Sequence, residues 1–261
     1  MKRLLVYLLF MFCIISGTLI CRALTNKNAL MPEEDKTAIK NALNEEIGDD
    51  LLSVKFFRKN PQCKVLGKKL LKQAIEDPYF FYIVDKEHLL SADYMPQDLI
   101  GEGKKVRNET YEAFTQMANA AKKENINLFI LSGFRTYKYQ ESLFMRSVAN
   151  NGIEHANKYV AKPGASQHQL GTAVDINSVE DSFVNTKEYA WLKENAAKFG
   201  FSLSFPKGQE DKTGYAFEPW HYRYITPEGT KIQKERFHDS QVDFLEALNA
   251  CLPQNCYNSN I

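Results

Sequence analysis

The chain has almost no net charge, with 33 Lys and Arg against 32 Asp and Glu in 261 residues. Nucleic-acid binding rests on a basic excess that neutralises phosphates, so DNA and RNA are excluded as partners. Cysteine is scarce, five in all with no CxxC pair, which removes the thiolate metal sites and redox motifs built on that spacing. HExxH and GxSxG are also missing, and with them the common zincin and serine-hydrolase readings. There is no internal repeat and no low-complexity tract, which leaves repeat architectures without support.

What is present starts with Met1-Lys2-Arg3 and an apolar run from Leu4 to Cys21, interrupted only by Ser16, Gly17 and Thr18. A charged start before a long apolar stretch predicts an exported or membrane-anchored chain, with residues 1–23 as signal peptide or anchor. The run lies between the apolar core of a signal peptide and the ~20 residues of a membrane span, so cleavage and retention both stay open. Cys21-Arg22-Ala23 offers a small-x-small cleavage site, while Thr18-Leu19-Ile20 makes a poor lipobox before Cys21. Beyond this leader only Cys63, Cys251 and Cys256 remain. In an oxidising compartment one disulfide and one free thiol is the simplest outcome, and Cys251 with Cys256 could close a small loop.

A hydrophobic content of 44% supports one sizeable core. Residues 24–77 are rich in Lys and Glu with scattered apolar positions, as in Lys36-Thr-Ala-Ile-Lys and Lys68-Lys-Leu-Leu-Lys, and read as a helical lead-in or stalk. The main domain is placed at 78–261. Phe80-Phe-Tyr-Ile-Val-Asp and Ile126-Asn-Leu-Phe-Ile-Leu-Ser have strand character. Helical spacing covers 108–123 and 136–149, and a third helix over 187–199 is stopped by Gly200. The irregular order of strands and helices favours an α+β fold over a βαβ alternation.

Two segments carry the chemistry: Ser166-Gln167-His168-Gln169-Leu170-Gly171-Thr172-Ala173-Val174-Asp175 and Glu218-Pro219-Trp220-His221. A catalytic zinc takes three ligands from His, Cys, Asp and Glu and works beside a base that is not a ligand. His168, Asp175 and His221 meet the first need, and Glu218 meets the second. Gly171 permits a tight turn between the first two ligands, and Pro219 suits an extended entry into a strand that holds His221. The other histidines, His88, His155 and His238, read as ordinary polar groups. Ser204-Phe-Pro-Lys207 and Lys212-Thr-Gly214 imitate the SxxK and KTG motifs of serine peptidases. The first of those motifs opens a helix far from the second, whereas here Pro206 interrupts it and few residues separate the two, so both are assigned to the loop before Glu218.

The flanks SxHxxGxAxD and ExxH resemble the zinc D-Ala-D-Ala carboxypeptidases of the VanY type. The resemblance extends to Ser132-Gly-Phe-Arg-Thr-Tyr with Gln140, to Pro206-Lys-Gly-Gln-Glu with Thr213-Gly-Tyr, and to Tyr94-Met-Pro, roughly residues 82–225. It departs at Gln167, where many relatives have Glu, at Ile225-Thr226, and over 227–261. It implies a small central antiparallel sheet with flanking helices, as in the Hedgehog signalling domain and lysostaphin-type peptidases. It further implies one Zn²⁺ on His168, Asp175 and His221, Glu218 as general base, and Arg135 on the substrate carboxylate or the developing oxyanion. Gln140 and Ser166 are further polar contacts to substrate. The implied activity is D,D-carboxypeptidase action on peptidoglycan stem peptides by an extracytoplasmic, monomeric protein of the cell envelope or periplasm. Alternatives on the same scaffold are an L,D-carboxypeptidase, a wall endopeptidase, or a non-catalytic zinc-binding interaction module.

Overall fold

The computed structural model describes residues 60–252. The leader and the helix expected near Lys36 lie outside them, and among the described residues no helix is long and apolar enough to cross a membrane. The described chain forms two compact units, residues 60–78 with 250–252, and residues 79–249.

In the smaller unit a 3-10 turn, Pro61–Leu66, leads through Gly67 into α1 (Lys68–Glu76), which buries Leu70, Leu71 and Ala74. These positions fall on one stripe of the expected amphipathic pattern. Cys63 is bonded to Cys251 across 188 positions, with Cα atoms 5.8 Å apart. The expectation of a Cys251–Cys256 loop is therefore corrected.

The larger unit is built on a four-stranded antiparallel sheet, ordered β3 (Ile130–Ser132), β4 (Ala173–Ile176), β6 (His221–Tyr224), β5 (Phe201–Leu203). A two-stranded ribbon, β1 (Leu99–Ile100) with β2 (Val106–Arg107), stands before it. The helices are α2 (Asn108–Lys123), α3 (Tyr137–Asn151), α4 (Ile153–Tyr159), α5 (Lys187–Asn195), α6 (Glu210–Thr213), α7 (Pro227–Phe237) and α8 (Gln241–Ala250). α2 buries Thr110, Ala113, Phe114, Met117 and Ala121, and Phe114 meets Phe201 of β5 edge to face at 6.1 Å. Every residue of the two central strands is buried. Along β6, His221 turns to Asp175 while Tyr224 packs on Phe80 and Phe201, and with both faces covered every position is buried.

Two expected strands fall short for the same reason, that side chains take over the role of a ladder. Pro78–Phe81 is a 3-10 turn. The carbonyls of Phe80 and Tyr82 accept from Arg223 Nη2 at 2.9 and 3.0 Å, and that of Phe81 accepts from Asn249 Nδ2 at 2.9 Å. Buried backbone groups need partners but not strand partners. Before β3, Asn177 stands in for a neighbouring strand: its Oδ1 accepts from Phe129 N at 2.8 Å and its Nδ2 donates to Asn127 O at 2.7 Å. The third expected helix is α-helical to Asn195 and 3-10 from Ala196 to Phe199. Gly200 then ends it in the left-handed conformation, where a Cβ would lie 2.6 Å from Tyr224 Cε2.

Candidate functional site

Strand register places the first two site residues. Antiparallel pairing of β4 with β6 sets Asp175 directly opposite His221, and side chains of directly opposed residues share one face at contact distance. His168 comes from the 3-10 turn Gln167–Leu170, which ends at Gly171 with φ 72°. Any Cβ at Gly171 would lie 2.9 Å from Arg107 Cγ and 3.0 Å from Leu99 Cδ2, so only glycine lets the turn pack against the ribbon and feed β4 at this angle. One ligand atom each from His168, Asp175 and His221 lies within 4.8 Å of the others, and all three residues are buried. The sequence-predicted triad is thus brought together.

The surroundings suit these groups to a divalent cation. His168 Nδ1 donates to Gly133 O at 2.7 Å, leaving Nε2 to face Asp175 Oδ1 at 3.2 Å. Metal-binding imidazoles characteristically donate their other ring N–H in this way. His221 holds Nδ1 3.1 Å from the same Asp175 oxygen and Nε2 3.2 Å from Gln167 Oε1. Burial, with the nearby Arg135 charge, lowers the His168 pKa to about 4. Burial opposes the charge on Asp175, yet the two imidazoles and their hydrogen bonds outweigh it and hold the carboxyl well below its usual range. Two nitrogen ligands and a carboxylate, three in number, are the donor set of an open zinc site.

Glu218 stands beside the triad. Its Oε2 is 3.5 Å from His221 Nδ1 and its side chain is 14% exposed. The backbone is held by Glu218 N donating to Phe205 O at 3.1 Å and by His221 N donating to Glu218 O at 3.2 Å, a turn that accommodates Pro219. Burial, then the Asp175 charge, raises its pKa from 4.5 to about 8, with Arg135 opposing. In the metal-free protein this group favours folding below about pH 4.5 and loses that contribution as the pH rises through 8. Metal-free Glu218→Gln should therefore melt with the wild type at pH 4 but ~5–10 °C higher at pH 9, an effect on the order of 3 kcal/mol. Thermal melts in chelator at both pH values check this, and coincident melts at pH 9 would contradict it.

Arg135 is tied to the same centre. Nη2 donates to Asp175 Oδ2 at 2.7 Å, Nη1 to Gln140 Oε1 at 3.1 Å, Nε to Ser132 Oγ at 3.1 Å, and its backbone N to His168 O at 3.2 Å. The side chain keeps 18% exposure. Gln140 is buried and its Nε2 donates to Ala161 O at 2.8 Å, so its amide serves Arg135 at one end and α4's exit at the other. Ser166 is buried ahead of the 3-10 turn and does not cap it. The remaining histidines have local roles. His88 bonds Asp85 at 2.9 Å, His155 stacks on Tyr159 at 4.5 Å, and His238 ends α7 in the left-handed conformation. Ser204 follows β5 and Lys212 and Thr213 lie in the short α6, so the serine-peptidase imitation has no matching architecture. Sequence reasoning did not find the Gly133 carbonyl or Gln241. A carbonyl has no side-chain signature, and Gln241 lies 241 − 221 = 20 positions past the last ligand.

Comparison with known proteins agrees with this geometry. The family described as VanY: D-alanyl-D-alanine carboxypeptidase matches residues 103–227. The chain is 33% identical over 217 residues to the putative carboxypeptidase YodJ of Bacillus subtilis, covering 76% of this chain and 77% of that one. Among solved structures, the LdcB LD-carboxypeptidase is similar at TM-score 0.60 and 33% identity, over 66% of this chain and 88% of LdcB. A mutant of the vancomycin resistance D,D-pentapeptidase VanY, in complex with Zn(II), is similar at TM-score 0.56 and 28% identity, over 64% and 99% of the two chains. With the buried triad, two of whose members face each other on paired strands, and these likenesses together, the chain belongs to the VanY family of D-alanyl-D-alanine carboxypeptidases.

Proposed function

We propose that this protein is a zinc-dependent D,D-carboxypeptidase that removes the terminal D-alanine of peptidoglycan stem peptides. The observation that carries the proposal is the cross-strand pair Asp175 and His221, joined by His168, with the half-buried carboxyl of Glu218 beside it. A non-catalytic zinc module has no use for a positioned base.

His168, Asp175 and His221 hold the metal, which when bound supplies Lewis-acid polarisation of the scissile carbonyl and acidifies a water ligand. Glu218, beside a bound cation, would be held in its ionised form despite its burial. Glu218 Oε2 then takes the proton of the attacking water and returns it to the amine of the departing D-alanine. Arg135 holds the substrate's terminal carboxylate or the developing oxyanion through its planar donor fork. Gln140 aims that fork, and Ser166 adds a polar contact to substrate. Arg135→Lys keeps the charge and loses the fork, so kcat/KM should fall ~10²-fold or more while the melting temperature moves little. Unchanged kinetics would return Arg135 to a structural ion pair with Asp175.

The likeness to LdcB favours a second reading, L,D-carboxypeptidase action on the same scaffold. Incubating the purified protein with pentapeptide and tetrapeptide stems and weighing the products separates the two. Trimming of the pentapeptide alone supports the D,D activity, and trimming of the tetrapeptide alone replaces it with the L,D activity. The protein works outside the cytoplasmic membrane as a monomer, with residues 1–23 as leader or anchor, 24–77 as lead-in and 78–261 as the peptidase domain. The Cys63–Cys251 bond supports that location, since such bonds persist in oxidising compartments.

A further inference from the structure

We infer that Gln167 and Gln241 are positioning residues that fix His221 in the tautomer protonated at Nε2, leaving the Nδ1 lone pair for the metal. This rests on the zinc reading of the site. Gln167 sits in the turn that carries His168, and Gln241 opens α8, 241 − 227 = 14 positions beyond the family match. Both are buried, and an amide is not among the usual protein ligands of zinc.

The order of donors and acceptors follows from one backbone carbonyl. Ser202 O on β5 can only accept, and Gln241 Nε2 lies 3.3 Å from it. Gln241 must then turn its Oε1 towards Gln167, whose Nε2 is 3.3 Å away. Gln167 in turn presents Oε1 to His221 Nε2 at 3.2 Å, and Ser204 Oγ donates to that same oxygen at 2.8 Å. An amide oxygen accepts and does not donate, so the proton between Gln167 and His221 belongs to the imidazole. Turning either amide round would bring like groups face to face in a buried site, which buried polar groups avoid. Ser204 alone does not set the direction, because a hydroxyl can donate or accept. His168 reaches the opposite tautomer by a shorter route, its Nδ1–H donating directly to Gly133 O. The two imidazoles thus offer different ring nitrogens to one centre, and the relay that orients the second ends on Gln241, outside the matched residues 103–227.

The tautomer is read directly in the metal-free full chain labelled with ¹⁵N-histidine, using long-range ¹H–¹⁵N correlation at pH 8, with the His221 signals identified by their loss in His221→Ala. A proton on Nε2 is expected, with Nδ1 facing the Asp175 carboxylate 3.1 Å away, and a bare Nε2 would overturn the inference whatever the metal result. Gln241→Met keeps bulk and removes the relay. Competition with a chelator should show Zn²⁺ held ~10–100-fold more weakly, with both tautomers now present. Ser204→Ala, which leaves the direction of the relay intact, should lose distinctly less. Equal losses in the two variants, or wild-type affinity and tautomer in Gln241→Met, would also overturn it. Should wild-type protein take up no zinc, the proposed function fails while the tautomer measurement still judges the relay.

Discussion

Glu218→Gln is expected to hold close to one zinc per chain and to lose about 10²- to 10⁴-fold in turnover, the range typical of removing a general base. The amide keeps the shape of the side chain and the turn made by Glu218 N to Phe205 O and His221 N to Glu218 O. It also leaves His168, Asp175 and His221 untouched, so metal uptake persists. What it lacks is a basic oxygen at the position 3.5 Å from His221 Nδ1. Elemental analysis of the purified variant beside hydrolysis of a D-Ala-D-Ala peptide decides the matter. Unimpaired turnover would move the base elsewhere, and loss of zinc would make Glu218 a ligand.

The contrasting result belongs to His221→Ala, which should lose the metal, the activity and part of the stability at once. Its Nδ1 lies 3.1 Å from Asp175 Oδ1, and its ring packs against the His168 ring at 4.8 Å and against Phe205 at 4.8 Å. Wild-type protein at a free zinc concentration 100 times Kd gains about 2.7 kcal/mol from binding, worth ~5–10 °C in Tm for a domain of this size. In the variant, added zinc should no longer raise the melting temperature. The empty ring site costs a further few kcal/mol through the cavity it leaves. Full zinc occupancy in His221→Ala would show that the triad is wrongly assigned.

Much of the site was legible because its chemistry is carried by residue types at short fixed spacing. His168 and Asp175 sit seven positions apart around Gly171, and Glu218 and His221 sit three apart around Pro219; each spacing survives as a local turn or strand entry in the fold. The α2 helix was legible because apolar residues recur every three or four positions, as Phe114, Met117 and Ala121 do in its buried stripe. Harder to read were places where one distant side chain replaces a strand. The apolar run at Phe80 has strand composition, but its carbonyls are held by Arg223 and Asn249. Neither partner is marked in the run itself. The Cys63–Cys251 pairing was equally hidden, because proximity in sequence favoured Cys256 and the bond spans 188 positions. The resemblance put Arg135 on the substrate, whereas its 2.7 Å bond to Asp175 Oδ2 joins residues 40 positions apart and had no mark in the sequence.

That long bond closes a covalent ring around residues 79–249. Fixing the ends of a loop this size removes chain entropy from the unfolded state worth about 5 kcal/mol. It also changes what a protease can achieve. Any single cut between Cys63 and Cys251 opens the ring without parting it, so both pieces stay on one molecule. A nicked protein would run near its full length on a gel without reductant and split into two bands once thiol is added. A chain clipped at a surface loop within the ring therefore keeps β4 and β6, which carry Asp175 and His221, on the same covalent body.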